Sequence, residues 1–408
     1  MFDVNKIRDS FPMIRNNPEL IYFDSSATSL KPQCVIDTVV NYYEKETANI
    51  HRGDYDISFD VSKAYDNTRK TVAGFIGAQD PNCIVFTSGA TASLNTVAIN
   101  FGKKFLTEDD VILTSELEHA SNILPWFKAA EESGAKIEYV PLNVDGSFNL
   151  SEYVKCFENK RIKIVALPYV SNVLGYINPV KQICSIAHEN HALVCIDGAQ
   201  SVPHIPTNVK EDDIDFLAFS SHKMLGPSGV GVLYAKFDLL NQMDPIFYGG
   251  GSNARFFKNG EIMLKNSPDK YEAGTPCIEG VLGLQSAIEY LETVGMEKIA
   301  EHCEQLSNYF ADKLNDLANV TLYNRGSKAG IVTFNLKQIF AQDAASYFNA
   351  NHISVRTGNH CAKLLPNIIN ASETIRASFY LYNTFEEIDR FVELIKDTTI
   401  EKCVDSVL

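Results

Sequence analysis

From about Ile84 to Tyr234 the chain alternates short β-branched or apolar runs with amphipathic stretches, a pattern that leaves few folds open. The strand candidates are Ile84–Thr87, Val111–Thr114, Ile137–Val140, Ile162–Leu167, Ala192–Asp197, Phe216–Ser220 and Val230–Tyr234. Helical stretches such as Asn122–Glu132 and Val180–Asn190 lie between several of them. This alternation implies an α/β fold with a large, mainly parallel sheet covered by helices on both faces. At 408 residues the chain is too long for one compact core. A helical stretch from about Ile278 to Leu317, interrupted at Gly295, leads out of the first unit. The pattern then restarts with strand Ile331–Asn335, helix Gln342–Asn351, strand Ile353–Arg356 and strand Thr374–Ser378. A last helix begins at Thr384, where Thr384 and Glu387 have capping-box spacing. The expected organisation is a large domain over residues 21–294 and a smaller α/β domain over 295–408. Residues 1–20 are expected to pack on the smaller one.

Charge and cysteine usage narrow the function classes. The net charge of −15 argues against nucleic acid or an anionic membrane as the main partner. No apolar stretch approaches the ~20 residues of a membrane span. The first residues are polar and acidic where a signal peptide carries its apolar core, so the expected location is cytoplasmic. The 9 cysteines contain no C-x-x-C pair, which predicts free thiols and no metal site of that type. Cys195, inside an apolar run, reads as a small buried hydrophobe.

In α/β sheets ligands sit outside the carboxyl ends of the strands, and several chemistry-bearing residues fall there. Ala192–Asp197 delivers Asp197, followed by Gly198, Ala199 and Gln200. Phe216–Ser220 delivers Ser220, Ser221, His222 and Lys223. Either Asp197 as a strand-end cap or Lys223 as a solvated loop lysine is plausible alone, but together they suit pyridoxal phosphate. The lysine forms a Schiff base, and the aspartate keeps the pyridine nitrogen protonated. After Ile84–Thr87, Ser88-Gly89-Ala90-Thr91 opens a helix, which favours a phosphate. His119 follows the next strand; it is either a surface or capping histidine or a catalytic group that stacks on the ring and moves protons. Asn172 reads as a turn asparagine or a hydrogen-bond donor to cofactor or substrate. Cys361 lies in a polar loop, beside His360 and near Arg356, neighbours that favour a thiolate; the alternative is an inert loop cysteine. Arg376 stands in a half-apolar strand, as a surface ion pair or as a bidentate grip on a carboxylate.

Taken in order, these blocks resemble the class V aminotransferase family of fold-type I pyridoxal phosphate enzymes, and within it the group II, SUF-type cysteine desulfurases. The resemblance covers nearly the whole chain. Its blocks are Tyr22 to Thr28, Asn49 to Gly53, Glu118 to Asn122, Ser171 to Gly175, Asp197 to Gln200, Ser220 to Lys223, Tyr271 to Pro276, Arg356 to Gly358, and Arg376 with Leu381 to Thr384. It implies that Lys223 carries pyridoxal 5'-phosphate, Asp197 pairs with the pyridine nitrogen, Gln200 reaches the phenolic oxygen and His119 stacks on the ring. Thr91, Ser220 and His222 would hold the phosphate, with Thr275 reaching across from a second subunit of a homodimer. Arg376, Arg356 and Asn172 would bind L-cysteine. Cys361 would take the sulfur as a persulfide, release alanine, and pass sulfur to an acceptor protein, a SUF-type scaffold, for Fe–S clusters or thiolated tRNA.

The short loop from Ala362 to Ile375 fits group II and also resembles selenocysteine lyases. A selenocysteine lyase, another class V lyase, or an inactive sulfur-transfer scaffold are the alternatives. Cys361 discriminates against members that need no second thiol. The family's hairpin is expected within Phe256 to Lys270. This chain departs from the pattern at Asn359, where many SUF-type members have a second histidine. It departs again at Gln342, where some have a histidine before the aspartate at Asp343, and at Ala90 and Ala92 in the phosphate turn.

Overall fold

The computed structural model describes residues 2–325 and 327–406. Its large sheet has seven strands, in the order Ile84–Thr87, Gly231–Ala235, Phe216–Ser220, Leu193–Asp197, Ile162–Pro168, Val111–Thr114 and Lys136–Tyr139. Gly231–Ala235 runs antiparallel to both neighbours, and every other pair is parallel. The expected α/β fold is what forms, with strand ends shifted by about one residue at several places.

The period-two alternation of strand side chains divides this core into two layers. Val85, Ile112, Ile164, Cys195, Phe216 and Leu233 pack under Ala90–Phe105 and Ala120–Ser133, whose inner faces supply Leu94, Val97, Phe101 and Trp126. Phe86, Leu113, Val165, Val194, Leu217 and Val232 face the opposite way, toward Asp56–Phe75, Val180–Glu189 and Ile278–Val294. Cys195 is 1% exposed, the small buried hydrophobe expected of it.

A second, antiparallel sheet has the order Val320–Leu322, Ile331–Leu336, Thr374–Ser378 and Arg356–Gly358. Within Thr374–Ser378 the alternation separates two jobs. Ile375 and Ala377 join Phe310, Phe334, Phe348 and Phe391 in a core against the helices, while Arg376 points to the large sheet and bonds Asn172. The helix Phe385–Asp397 starts with the complete capping box of Thr384 and Glu387. Near the N-terminus, Arg8 reaches Tyr382 O and Glu387, both at 2.7 Å.

Two sequence expectations need correction. Ile353–Arg356 is not one strand: Ile353–Ser354 pairs in parallel with Ile21–Tyr22, and Arg356–Gly358 pairs with Thr374–Ser378. The segment changes partner sheet midway, which a continuous apolar run does not reveal. The hairpin comprises Asn253–Phe256 and Ile262–Leu264, so its turn and second strand fall within the expected span and its first strand begins three residues before it.

Remote from the strands' carboxyl ends, an ion-pair cluster ties a helix to the sheet. Asp215, whose side chain is 2% exposed, accepts from His188 Nε2, Lys236 Nζ and Val194 N, each at 2.8 Å. His188 Nδ1 lies 2.9 Å from Asp213. The Asp215 hydrogen bond raises the His188 pKa above its ordinary value. A raised folded-state pKa gives stability that is complete below the unfolded value near ~6.5 and is lost as pH rises through the folded one. His188→Gln should therefore lower the unfolding midpoint clearly at pH 6 and much less at pH 9. Urea unfolding at the two pH values measures it; an equal loss at both would show that the imidazole contributes no charge.

Candidate active site

The carboxyl ends of the large-sheet strands open on a cavity of about 200 Å³. Its walls include Thr91, His119, Asn172, Asp197, Gln200, Ser220, His222, Lys223, Arg356 and Arg376. Residues spread over nearly three hundred positions thus converge, most from the ends of the large-sheet strands and Arg356 and Arg376 from within two strands of the small sheet. Thr275 and Cys361 are not on this wall. Thr275 is exposed, with Asn49 Nδ2 at 3.4 Å from its hydroxyl. Cys361 is exposed outside the cavity, its Sγ 3.9 Å from Arg356 Nη2.

Phe216–Ser220 ends in a single 3-10 turn, Ser221–Lys223, which swings the lysine inward. Burial pushes the Lys223 ammonium down to about 8, against the opposing pull of Asp197, with Arg376 and Arg356 lowering it further. Asp197 ends its strand with Oδ1 accepting from Ala199 N at 2.9 Å. It is both a local cap and a cavity wall.

Opposite, Gly89 opens the helix Ala90–Phe105, and Ala90 N donates to Ser220 Oγ at 2.8 Å. Thr91 and Ser121 share a hydrogen bond of 2.7 Å between hydroxyls. His119 caps the helix Ala120–Ser133, its Nδ1 accepting from Ser121 N at 3.1 Å. The capping reading of His119 holds, and the same ring lines the cavity. Burial lowers the His119 pKa, and lowers that of His222 to about 4, with Lys223 and Lys31 adding to it. Gln200 spends its amide nitrogen on Ser26 O at 2.8 Å, which leaves Oε1 without a partner among the described residues.

Arg376 is 2% exposed, which excludes a surface ion pair. Its Nη1 donates to Asn172 O at 2.7 Å, its Nη2 lies 3.1 Å from Asp24 Oδ1, and its Nε has no partner among the described residues. Asp24 is a contact that sequence reasoning missed, although it sits in the Tyr22–Thr28 block. Asn172 donates its side-chain Nδ2 to His360 O at 2.8 Å. It therefore holds both the arginine and the cysteine loop in place.

That loop is strained: Gly358, His360 and Cys361 have φ of 103°, 51° and 60°. Non-glycine residues avoid this region, at a cost of about 1–3 kcal/mol each. The Asn172 bond, Ala120 N to Cys361 O at 2.7 Å, and Ala362 N to Asn359 O at 2.8 Å offset the strain. Asn359 uses its amide on Ser372 O, so it anchors the loop.

Pyridoxal phosphate fits this donor set. One end offers hydroxyls, a helix N-terminus and an imidazole for a phosphate, the middle a carboxylate and an amine. The unpartnered Gln200 Oε1 and Arg376 Nε are polar atoms, buried without partners until a ligand supplies them.

Residues 21–391 match the family model described as aminotransferase class-V. The chain is 41% identical to a probable cysteine desulfurase of Halalkalibacterium halodurans, over 97% of this chain and 98% of that protein. It is 39% identical to a probable cysteine desulfurase of Staphylococcus aureus, strain Mu50, over 97% of each. Among solved structures it is similar to the cysteine desulfurase CsdA of Escherichia coli, with a TM-score of 0.91 and 32% identity over 97% of this chain and 98% of that one. It is equally similar in fold to the apo cysteine desulfurase of Thermococcus onnurineus NA1, with a TM-score of 0.91 and 37% identity over 97% and 98%.

Proposed function

The chain belongs to the aminotransferase class-V family and is a cysteine desulfurase that uses pyridoxal phosphate, and on that premise we propose how its own residues divide the reaction. The observation that carries the proposal is one cavity with Lys223 and Asp197 at its floor, two arginines on its wall, and an exposed thiol beside the outer arginine. When bound, the cofactor supplies an electron sink that lets the carbon–sulfur bond of an amino acid break.

Lys223 would hold the cofactor, and its amine is placed to move the proton at the substrate's α-carbon. Asp197 holds a proton at the pyridine nitrogen, and His119 stacks on the ring. Gln200 offers Oε1 to the cofactor's phenolic hydroxyl. Thr91, Ser220 and His222 take the phosphate. Arg376 and Arg356 receive the carboxylate of L-cysteine, with Asp24 and Asn172 holding Arg376 in place. The Cys361 thiolate then bonds to the substrate's sulfur. As that bond forms, the carbon–sulfur bond breaks, its electron pair returns to carbon, and protonation there yields alanine. Cys361 keeps the sulfur as a persulfide.

Thr275 does not line the cavity of its own chain, and we assign it to the phosphate of a second subunit in a homodimer. The persulfide faces outward to an acceptor of the SUF type, in the cytoplasm, for Fe–S cluster or thio-cofactor synthesis. Gln342 and the 73%-exposed Phe340 are the exposed residues nearest the start of their helix, and set the acceptor's footprint apart from members with a histidine there.

The phosphate turn makes one prediction. A Cβ on Gly231 would stand 2.3 Å from Gly89 Cα, too close for any real contact. Gly231→Ala should push the turn from the sheet and lower cofactor retention about tenfold, a loss of ~1.4 kcal/mol. Cofactor-to-protein ratio after dialysis measures it, and full retention would refute the assignment of the turn to the phosphate.

The function itself is tested with purified, cofactor-loaded protein, L-cysteine and a thiol reductant, assaying alanine and sulfide together. Equal amounts of both are expected. Alanine from selenocysteine alone would make it a lyase, and no turnover even with acceptor proteins would make it a scaffold.

A further inference from the structure

Ile84–Thr87 is an edge strand of the large sheet, paired along one side with Gly231–Ala235. An edge strand leaves N–H and C=O groups with no neighbouring strand to meet. Here an ion pair takes the neighbour's place. Arg69 Nη1 donates to Ile84 O at 2.7 Å, and Glu272 Oε1 accepts from Phe86 N at 2.8 Å. The two side chains, 8% and 9% exposed, also grip each other, Nη1 to Oε1 at 2.7 Å and Nη2 to Oε2 at 2.9 Å. Tyr65 donates its hydroxyl to Oε2 at 3.1 Å, and the guanidinium lies 4.7 Å from the centre of the Phe86 ring. Two parallel bonds fix the orientation of the carboxylate as well as its position.

Stability alone does not call for such a pair. Taking two charges out of water offsets most of their attraction, and apolar side chains of the same volume fill such a space as well. What the pair adds is a fixed location for the backbone that carries Glu272. The strand end of the contact is already held by its ladder to Gly231–Ala235. The segment after Glu272 enters no helix or strand until Ile278. Within it, Gly274 N donates to Gly250 O at 2.8 Å, and Asn49 Nδ2 stands 3.4 Å from the Thr275 hydroxyl. Thr275, three residues past the ion pair, is exposed.

Resting on the assignment of Thr275 to the phosphate of a second subunit, we infer that Arg69 and Glu272, with Tyr65, are positioning residues for that hydroxyl. The ion pair locks Glu272 to the strand that runs into its own chain's Gly89 turn, and Thr275 is presented outward in a set place. None of the three side chains lines the active-site cavity, so they act through Thr275. The group they serve is a phosphate monoester, and their contribution vanishes for a ligand without one.

The test compares protein loaded with pyridoxal 5'-phosphate and the same protein loaded with pyridoxal, which lacks the phosphate. The rate at which the visible band is lost on dilution reads cofactor release. Thr275→Val should speed release of the phosphorylated cofactor about tenfold, the size of one hydrogen bond to a charged group. Arg69→Gln combined with Glu272→Gln, which leaves no lone buried charge, should speed it about five- to tenfold. Tyr65→Phe removes one bond and keeps the charge pair, so the fold stands, and it should speed release about threefold. Release of pyridoxal should stay within about 1.5-fold in every variant, since no phosphate bond is at stake. In protein already carrying Thr275→Val, neither change should speed release further, because residues acting through one group do not add. Equal acceleration for both cofactors, or an undiminished effect beside Thr275→Val, would reduce the ion pair to support of the sheet edge and overturn the inference. Unchanged release in both variants while Thr275→Val accelerates it would also overturn the inference and leave the assignment of Thr275 standing. Unchanged release with Thr275→Val would overturn that assignment, and the inference with it.

Discussion

Lys223→Ala is expected to abolish alanine formation from L-cysteine, with a loss of about 10³-fold or more, because the residue proposed as both covalent anchor and proton carrier disappears. The amine lines the cavity beside Asp197 and within the field of Arg376 and Arg356. An ordinary lysine is almost wholly protonated at neutral pH and can neither bond an aldehyde nor remove a proton. Burial brings this one down to about 8, where an appreciable fraction is neutral. Lys223→Arg should be as inactive, since a guanidinium stays charged in proteins. The readouts are alanine formation and the visible band of a lysine-bound cofactor, which both variants should lack. Cofactor uptake by the unaltered apo-protein should accelerate as pH rises through about 8. A variant that kept the band would place the anchoring lysine elsewhere.

That lysine was legible because its position depends on local rules. A buried strand ends, a tight turn follows, and the next polar residues must face the crevice. Asp197, Asn172 and the turn before Ala90 were readable for the same reason. Arg376 was half readable: an arginine amid Ile375 and Ala377 signals a two-faced strand, but not which face is buried. Its partner Asp24 lies 352 residues away, and no local pattern links the two. His360 was visible only as a neighbour of Cys361. The direction of its ring follows from Thr374, across the turn of the loop, and directs it to the cavity wall while Arg356 reaches the thiol. The split of Ile353–Arg356 was hidden likewise, since each half is a plausible strand and only the partner sheets differ. Residues placed by their own strand could be read, and residues placed by a distant partner could not.

Cys361→Ala should separate binding from sulfur transfer. Sulfide release from L-cysteine is expected to fall about 10²-fold or more, and intact mass should show no added sulfur on the variant. L-cysteine affinity should change less than about twofold, because the thiol stands apart from the groups that bind the substrate and acts only once sulfur moves. The groups proposed to hold substrate and cofactor, Arg376, Asn172, Asp197 and Lys223, lie on the cavity wall and stay in place. The contrast with the other thiols explains the choice. Cys195 and Cys303 are buried, and burial raises both pKa values, which disfavours the nucleophilic thiolate. Cys361 is exposed, carried on a strained loop that Ala120 and Asn172 hold by hydrogen bonds, with a guanidinium 3.9 Å from its sulfur. Such a thiol can approach a substrate in the cavity and still present its product to solvent. Cys361→Ser should behave as the alanine variant does, since a serine hydroxyl cannot carry a persulfide. If either variant releases sulfide as fast as the unaltered enzyme, sulfur leaves the substrate without passing through this residue.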